Sequence, residues 1–464
     1  MSPTPDESAA DSPGFIAATS RDLRELASSP RELWLIFGVK LLESVAYFAI
    51  YNLLVVYLHE DLHYGDVAGG ALAGTWLTAI SVLTFVSGFV ADSLGIRRAM
   101  LASVTSCVLG RLLLTLSASR PMAIAGLVVM TWGVASMLPT MTAAVRQYTR
   151  RSTVAFAFSF FYVLMNVGAL IAPLTVGWFR RHYAQGADLL GSHLSSSRLI
   201  FAVGVIATVA SYALVLAMRP DAVVARLRRE GHADPDEVVR PNETPEMAER
   251  RRAPWAVLTE VVGEPAFWRF MLLVSLLVLV KLIFQHAHLT WPKYTLREFG
   301  PGFDFATYWA INPAMIIVLT PLGTALTRRR SAFTSIVAGA FLSAFSVFFM
   351  VASTSVAASV AFIVTLSLGE VLWSPRLYEY TATIAPRGRE ASYMGLSQLP
   401  MFLAKPFVGY LSGYLLMGYC PEAGARNSQM MWAIIGGTTL VGPVMLVALR
   451  KVIERPRSVA TSGA

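Results

Sequence analysis

Twelve apolar stretches, each long enough to cross a lipid bilayer as a helix, leave this chain few folds to choose from. A helix rising about 1.5 Å per residue needs about 20 apolar residues to span the hydrocarbon core. By that rule the spans fall at 33–58, 67–91, 98–117, 121–143, 153–179, 198–218, 266–289, 304–327, 331–352, 356–380, 391–416 and 430–451. In lipid every backbone amide must be paired inside the protein, so the expected fold class is an all-α integral membrane protein with 12 transmembrane helices. Composition points the same way: only 14% of the 464 residues are charged, where a soluble domain carries about 25%.

Six spans precede a polar interruption and six follow it. The chain therefore divides into an N-terminal tail at 1–32, a six-helix bundle at 33–218, a linker at 219–265, a second six-helix bundle at 266–453 and a tail at 454–464. Met1–Pro30 is polar and rich in Ser, Ala, Pro and Asp, which predicts a disordered tail without a cleavable signal; the first span would serve for targeting. The linker carries Arg226-Leu227-Arg228-Arg229 and Arg250-Arg251-Arg252. Short basic loops at Arg97-Arg98, Arg146 with Arg150-Arg151, Arg328-Arg329-Arg330, Arg387 with Arg389, and Arg450-Lys451 share a side with both termini. Basic loops stay inside, so both termini are expected in the cytosol and the protein in the inner or plasma membrane. Arg180-Arg181-His182, on the opposite side, is the exception. These loops account for the net charge of +9, and no nucleic-acid partner is expected. Cys107 lies in a span and Cys420 in a far loop, so no disulfide is expected between them.

Ionisable groups at membrane depth are the candidate site, because a charge there costs about 2.5–3.5 kcal/mol on insertion scales unless it faces protein or water. Glu370 interrupts the tenth span within Gly369-Glu370-Val371-Leu372-Trp373-Ser374-Pro375. In the first span Lys40, Glu43, Tyr47 and Tyr51 recur on one helical face, with Glu43 roughly 15 Å deep. This stripe is expected to face a central cavity, with Lys40 and Glu43 either neutralising each other or forming a proton-dependent gate. Asn166, Lys281, Gln285 and Lys405 fall at the same level, so polar groups from five helices are expected to converge. Three lysines against two glutamates favour an anionic or carboxylate-bearing ligand, unless desolvation neutralises a lysine. His286 and His288 point apart on their helix and lack a third ligand at useful spacing, so no metal is expected. Arg111 would contact headgroups or a neighbouring carboxylate. Gly409 and Gly413 form a small-xxx-small pair suited to packing. Trp309, Trp373 and Trp432 line either the cavity or the interface.

Two six-helix halves around a linker resemble the major facilitator transporters, whose sites lie between the halves near the midplane. Gly88-Phe89-Val90-Ala91-Asp92-Ser93-Leu94-Gly95-Ile96-Arg97-Arg98 resembles that superfamily's GxLaDrxGrr loop. The resemblance implies a gate-stabilising charge cluster of Asp92 with Arg97 or Arg98, and a tight turn at Gly95. One branch, the proton-dependent oligopeptide transporters, is similar in several places. Phe161-Tyr162-Val163-Leu164-Met165-Asn166-Val167-Gly168-Ala169 resembles its FYxxINxGA signature, and Gly369–Pro375 its GExxxSP element. Ile311-Asn312-Pro313 followed by Thr320-Pro321 is similar to its NP…P pattern, and Phe284-Gln285 to its aromatic-Gln. This implies that Glu370 holds a substrate amino group or a transported proton, and that Asn166 bonds the substrate backbone. The sequence departs from the family at Lys40 and Ser44, where its helix-one motif has an acid and an arginine, and at Leu138, where a lysine is expected.

The expected function is proton-coupled import of a small peptide-like, amino-acid-like or carboxylate-bearing solute by alternating access. Substrate binding is assigned to Glu370, Asn166, Lys281, Gln285, Lys405, Tyr47, Tyr51 and Trp373. Proton coupling is assigned to Glu43, Lys40 and Glu370, with Lys281 or Lys405 receiving the solute's anion. The alternatives are proton-driven export of an amphipathic or anionic metabolite, or a transport-dead sensor or scaffold. No enzyme is expected, since there is no nucleophile with base and orienter and no phosphate loop. The proton gradient stands in place of a cofactor. The partners are the solute, protons and lipid, and the protein is expected to work as a monomer.

Overall fold

A computed structural model describes residues 24–117, 119–149, 153–189, 191–219, 223, 262–327, 330–384 and 399–454. Most of the linker, most of both tails and the basic loop of Arg387 and Arg389 lie outside the described residues. The first half comprises α1 (Arg31–Glu60), α2 (Asp66–Leu94), α3 (Ile96–Leu116), α4 (Arg120–Tyr148), α5 (Val154–His182), a hairpin of β1 (Ala187–Leu189) and β2 (Ser192–Leu194), and α6 (Ser196–Leu216). The hairpin is antiparallel, with Ala187 opposite Leu194 and Leu189 opposite Ser192. The second half comprises α7 (Pro265–Leu289), α8 (Trp291–Phe299), α9 (Phe305–Trp309), α10 (Ile311–Thr327), α11 (Ala332–Ser346), α12 (Phe348–Ala352), α13 (Val356–Ile384), α14 (Leu399–Tyr419), α15 (Ser428–Ala448) and α16 (Arg450–Ile453).

Local chemistry sets the helix ends. Ser195, Asp304, Ser331 and Asn427 each accept a hydrogen bond from the backbone N–H three residues on, as N-caps do. Gly95 takes φ +76° at the turn between α2 and α3, where any side chain would be strained. Pro139, Pro173, Pro321, Pro375, Pro406 and Pro443 sit inside helices, which membrane helices tolerate when neighbours satisfy the freed carbonyls. Among the described residues, eleven helical segments are long and apolar enough to cross a membrane. The eighth and ninth expected spans are each divided: α9 gives way to α10 at Ala310, and α11 to α12 at Val347. Where the eleventh span was expected from residue 391, the described helix α14 starts at Leu399.

Within the first half, α1 packs on α5 and α6, α3 on α4 and α6, and α2 on α4. Within the second, α13 packs on α11 and α10, and α7 on α14 and α15. Among the described residues the halves meet most extensively along two seams. One runs between α2 and α14, the other between α5 and α9–α10. The first is a backbone-to-backbone contact made possible by glycine: a Cβ on Gly70 would stand 2.4 Å from the carbonyl oxygen of Gly409, and one on Gly413 would stand 2.5 Å from the Cα of Val67. Apolar side chains such as Val128, Ile206 and Val441 remain exposed on the outer faces, a surface made for acyl chains. Cys107 and Cys420 are both free thiols.

Candidate solute site between the halves

Glu370 lies midway along α13, and one of its carboxylate oxygens accepts a hydrogen bond from Asn312 Nδ2 at 3.1 Å. The same nitrogen donates to Ser367 Oγ at 3.0 Å, and Ser367 donates its own proton to the Ile363 carbonyl. The direction of each bond is thereby fixed, and the amide presents both hydrogens to α13. Lys281 of α7 lies within electrostatic reach of Glu370, with its ammonium 5.7 Å from the centre of the Trp373 ring. Trp373 is otherwise anchored in the second half, its indole N–H donating to Ser343 Oγ at 3.2 Å. Lys405 of α14 donates to Ser81 Oγ of α2 at 2.6 Å, across the interface between the halves.

Aromatic groups close this region toward the face opposite the termini. Tyr51 donates to Gln285 Oε1 at 3.1 Å and stacks on His288 with ring centres 4.1 Å apart. Tyr47 stacks on Tyr51 at 5.8 Å, and His288 meets Trp309 edge-on at 4.9 Å. The two histidines are held separately, His286 Nδ1 to Thr290 Oγ1 and His288 Nδ1 to the Phe284 carbonyl.

Two expectations for the first span are corrected. Glu43 does not pair with Lys40: it pairs with Arg111 of α3 at 2.8 Å, and Thr208 of α6 bonds the same guanidinium nitrogen. Arg111 is fully buried and Glu43 is 6% exposed, so this pair sits inside the first half, while Tyr51 faces the second. The stripe was expected to face one way. The turn between Glu43 and Tyr51 is about 80° at roughly 100° per residue, which separates them. Lys40 instead places its ammonium 4.6 Å from the centre of the Phe161 ring. Asn166 donates to the Tyr162 carbonyl of its own helix at 2.9 Å. Of the expected gate cluster, Arg97 donates to the Leu216 carbonyl at the end of α6, and Arg98 is exposed. The Asp92 side chain lies outside the described residues.

Beyond the aromatic layer an ionic clasp holds the halves together. Asp66, at the start of α2, accepts from Lys293 at 2.9 Å and from Arg297 at 2.7 Å, both on α8. Arg297 also reaches Glu422 at 3.1 Å, and His59 lies 3.0 Å from that carboxylate. Burial pulls the Lys293 ammonium below its ordinary pKa, against the opposing pull of Asp66. His59, Asp66 and Glu422 bring ligand atoms within 4.8 Å of one another, but Lys293 and Arg297 already occupy those carboxylates and oppose a further cation. Arg181 of α5 adds a contact at 3.3 Å to Asp304, next to α9. Arg111 meets a neighbouring carboxylate, one of the two contacts expected of it, and that carboxylate is Glu43; sequence reasoning missed Asn312 and Ser367 as the partners of Glu370, and this clasp. Ser367, one turn from Glu370, was the legible signal.

Two helical halves clasped around a polar site at mid-span define a multi-pass transport protein and not an enzyme. The chain belongs to the Major Facilitator Superfamily, whose profile matches residues 36–407. Its fold is similar to that of a POT family transporter in complex with 5-aminolevulinic acid, at 15% identity and TM-score 0.69 over 92% of this chain and 97% of that one. It is equally similar to a peptide transporter POT in complex with sulfate, at 18% identity and TM-score 0.69 over 93% and 98%. A third neighbour is a POT family transporter in complex with a thioalcohol conjugated peptide, at 16% identity and TM-score 0.69 over 92% and 97%. In sequence the chain is 37% identical over 92 residues to Protein NRT1/PTR FAMILY 5.10 of Arabidopsis thaliana, a match spanning 20% of this chain and 16% of that protein.

Proposed function

We propose that this protein is a proton-coupled secondary transporter that imports a small peptide-like, amino-acid-like or carboxylate-bearing solute by alternating access. The observation that carries the reading is Glu370, a carboxylate midway along a membrane helix, held by Asn312 and within reach of Lys281. A carboxylate so placed is the natural partner of a solute ammonium, and its alternative partner is a proton. Either one cancels its charge and leaves Lys281 to a different partner. With Glu43 committed to Arg111 inside the first half, Glu370 is the carboxylate left for coupling in this region among the described residues. The clasp supports the alternating-access part of the reading, because it is made of groups that can separate into water without leaving a charge buried in hydrocarbon.

The test is uptake by purified protein in liposomes, with and without an inward proton gradient, against dipeptides, amino acids and organic anions. The reading requires accumulation of at least one of them driven by the gradient. Accumulation only under the reversed gradient would replace it with proton-driven export, and no flux of any solute would replace it with a sensor or scaffold.

A further inference from the structure

Among the described residues, the mid-span charges of α7, α13 and α14 are Lys281, Glu370 and Lys405, two ammonium groups against one carboxylate. Glu43 and Arg111 cancel within the first half. Lys281 is within electrostatic reach of both Glu370 and Lys405. Lys405 itself has a neutral partner. It donates to Ser81 Oγ at 2.6 Å, and Ser81 spends its own proton on the Leu77 carbonyl at 2.9 Å. A serine oxygen is a weak match for a half-buried ammonium, since hydrogen bonds with both groups charged are roughly twice as strong. The backbone is also fixed here: a Cβ on Gly74 of α2 would stand 3.0 Å from the Lys405 carbonyl oxygen. The ammonium therefore leaves from a rigid seam with its stem anchored.

We propose that Lys405 and Lys281 form the subsite for an oxyanion on the transported solute, with Ser81 holding Lys405 until the solute arrives. The inference rests on the transport reading above and narrows it to solutes with a carboxylate-type group as well as an amine for Glu370. Because the bond from Lys405 to Ser81 crosses between the halves, the arriving oxyanion removes one tie at the α2–α14 seam, and occupancy is felt where the halves meet.

The test is ligand binding to the purified protein in detergent without any proton gradient, read by thermal stabilisation, with 5-aminolevulinate, its methyl ester, which keeps the ammonium and lacks the carboxylate, and dialanine as probes. The wild type should bind an acid probe more tightly than the ester by about tenfold, as expected for one charge-assisted contact. Lys405→Gln should erase that preference, Lys405→Arg should keep it, and Ser81→Ala should strengthen acid binding, since its competitor is gone. Lys405→Arg serves as the folding control. The inference is overturned if no acid probe binds the wild type, if the ester binds as well as the acid, or if Lys405→Gln retains the preference. Proton-driven accumulation insensitive to Lys405 would sink the inference and leave the transport reading standing. Lys405-dependent binding without any flux would do the reverse.

Discussion

Glu43 and Arg111 meet at 2.8 Å, yet Glu43 Oε1 and Arg111 Nε and Nη2 are buried with no hydrogen-bond partner among the described residues. Such a pair gains little over an apolar replacement, but removing one member strands a charge at a cost of about 3–5 kcal/mol. Arg111→Leu should therefore destabilise the protein by about that amount, while Glu43→Leu with Arg111→Leu should recover most of the loss. Unfolding in detergent measures both, and a double variant no better than the single would contradict the pairing. The double variant should also keep the pH dependence of transport. Asp61, just past α1, tests burial outside the membrane. Desolvation raises its pKa, against hydrogen bonds from Ser195 and Ser197. An acid with a raised folded pKa binds more protons folded than unfolded, so its contribution to stability is present at low pH and lost as pH rises through the folded value. Asp61→Asn should thus be more stable than the wild type at neutral pH, with the advantage shrinking on acidification; a pH-independent difference would refute this. The sequence made the depth of Glu43, Glu370, Lys281 and Lys405 legible, because depth follows from the rise per residue. It could not show that Arg111 captures Glu43, because that depends on how three helices are rotated about their axes.

At the scale of elements, the seam between α2 and α14 depends on four glycines that bring two backbones together. A side chain on Gly70 would meet the Gly409 carbonyl at 2.4 Å, and one on Gly74 would meet the Gly409 Cα at 3.0 Å. Gly70→Val should force the seam apart on the face away from the termini. Spin labels at Leu189→Cys, on the hairpin, and Ala423→Cys, beyond α14, should report longer distances in that variant, with Cys107 and Cys420 replaced. Unchanged distances would show that the seam does not hold the closed state. Gly409 and Gly413 were legible as a packing pair from their spacing alone, but their partner helix lies more than 300 residues away in the chain and no local rule identifies it. The breaks at Ala310 and Val347 escaped the sequence for a related reason: continuous hydropathy marks lipid contact, and helix continuity is decided by what the backbone packs against.

Across the whole molecule the described residues show a state clasped on one face. Asp66 is the hub, bonded to Lys293 and Arg297 with its carboxylate 9% exposed. Asp66→Asn removes the charge that both cations share, leaves them facing each other, and should open that face, so a thiol reagent applied from that side should label His288→Cys faster than in the unmutated background; equal rates would contradict the clasp. The two-bundle plan was legible from spacing and charge, since lipid admits so few backbones. The clasp was not, because charges outside the spans carry no periodic signal. The central claim is that Glu370, midway along α13, couples solute movement to protons. The measurement that tests it most directly is the accumulation ratio of a transported solute in liposomes under an inward proton gradient, for the wild type and for Glu370→Gln. The account predicts accumulation above equilibrium for the wild type and none for the variant. Equal accumulation by both would contradict it.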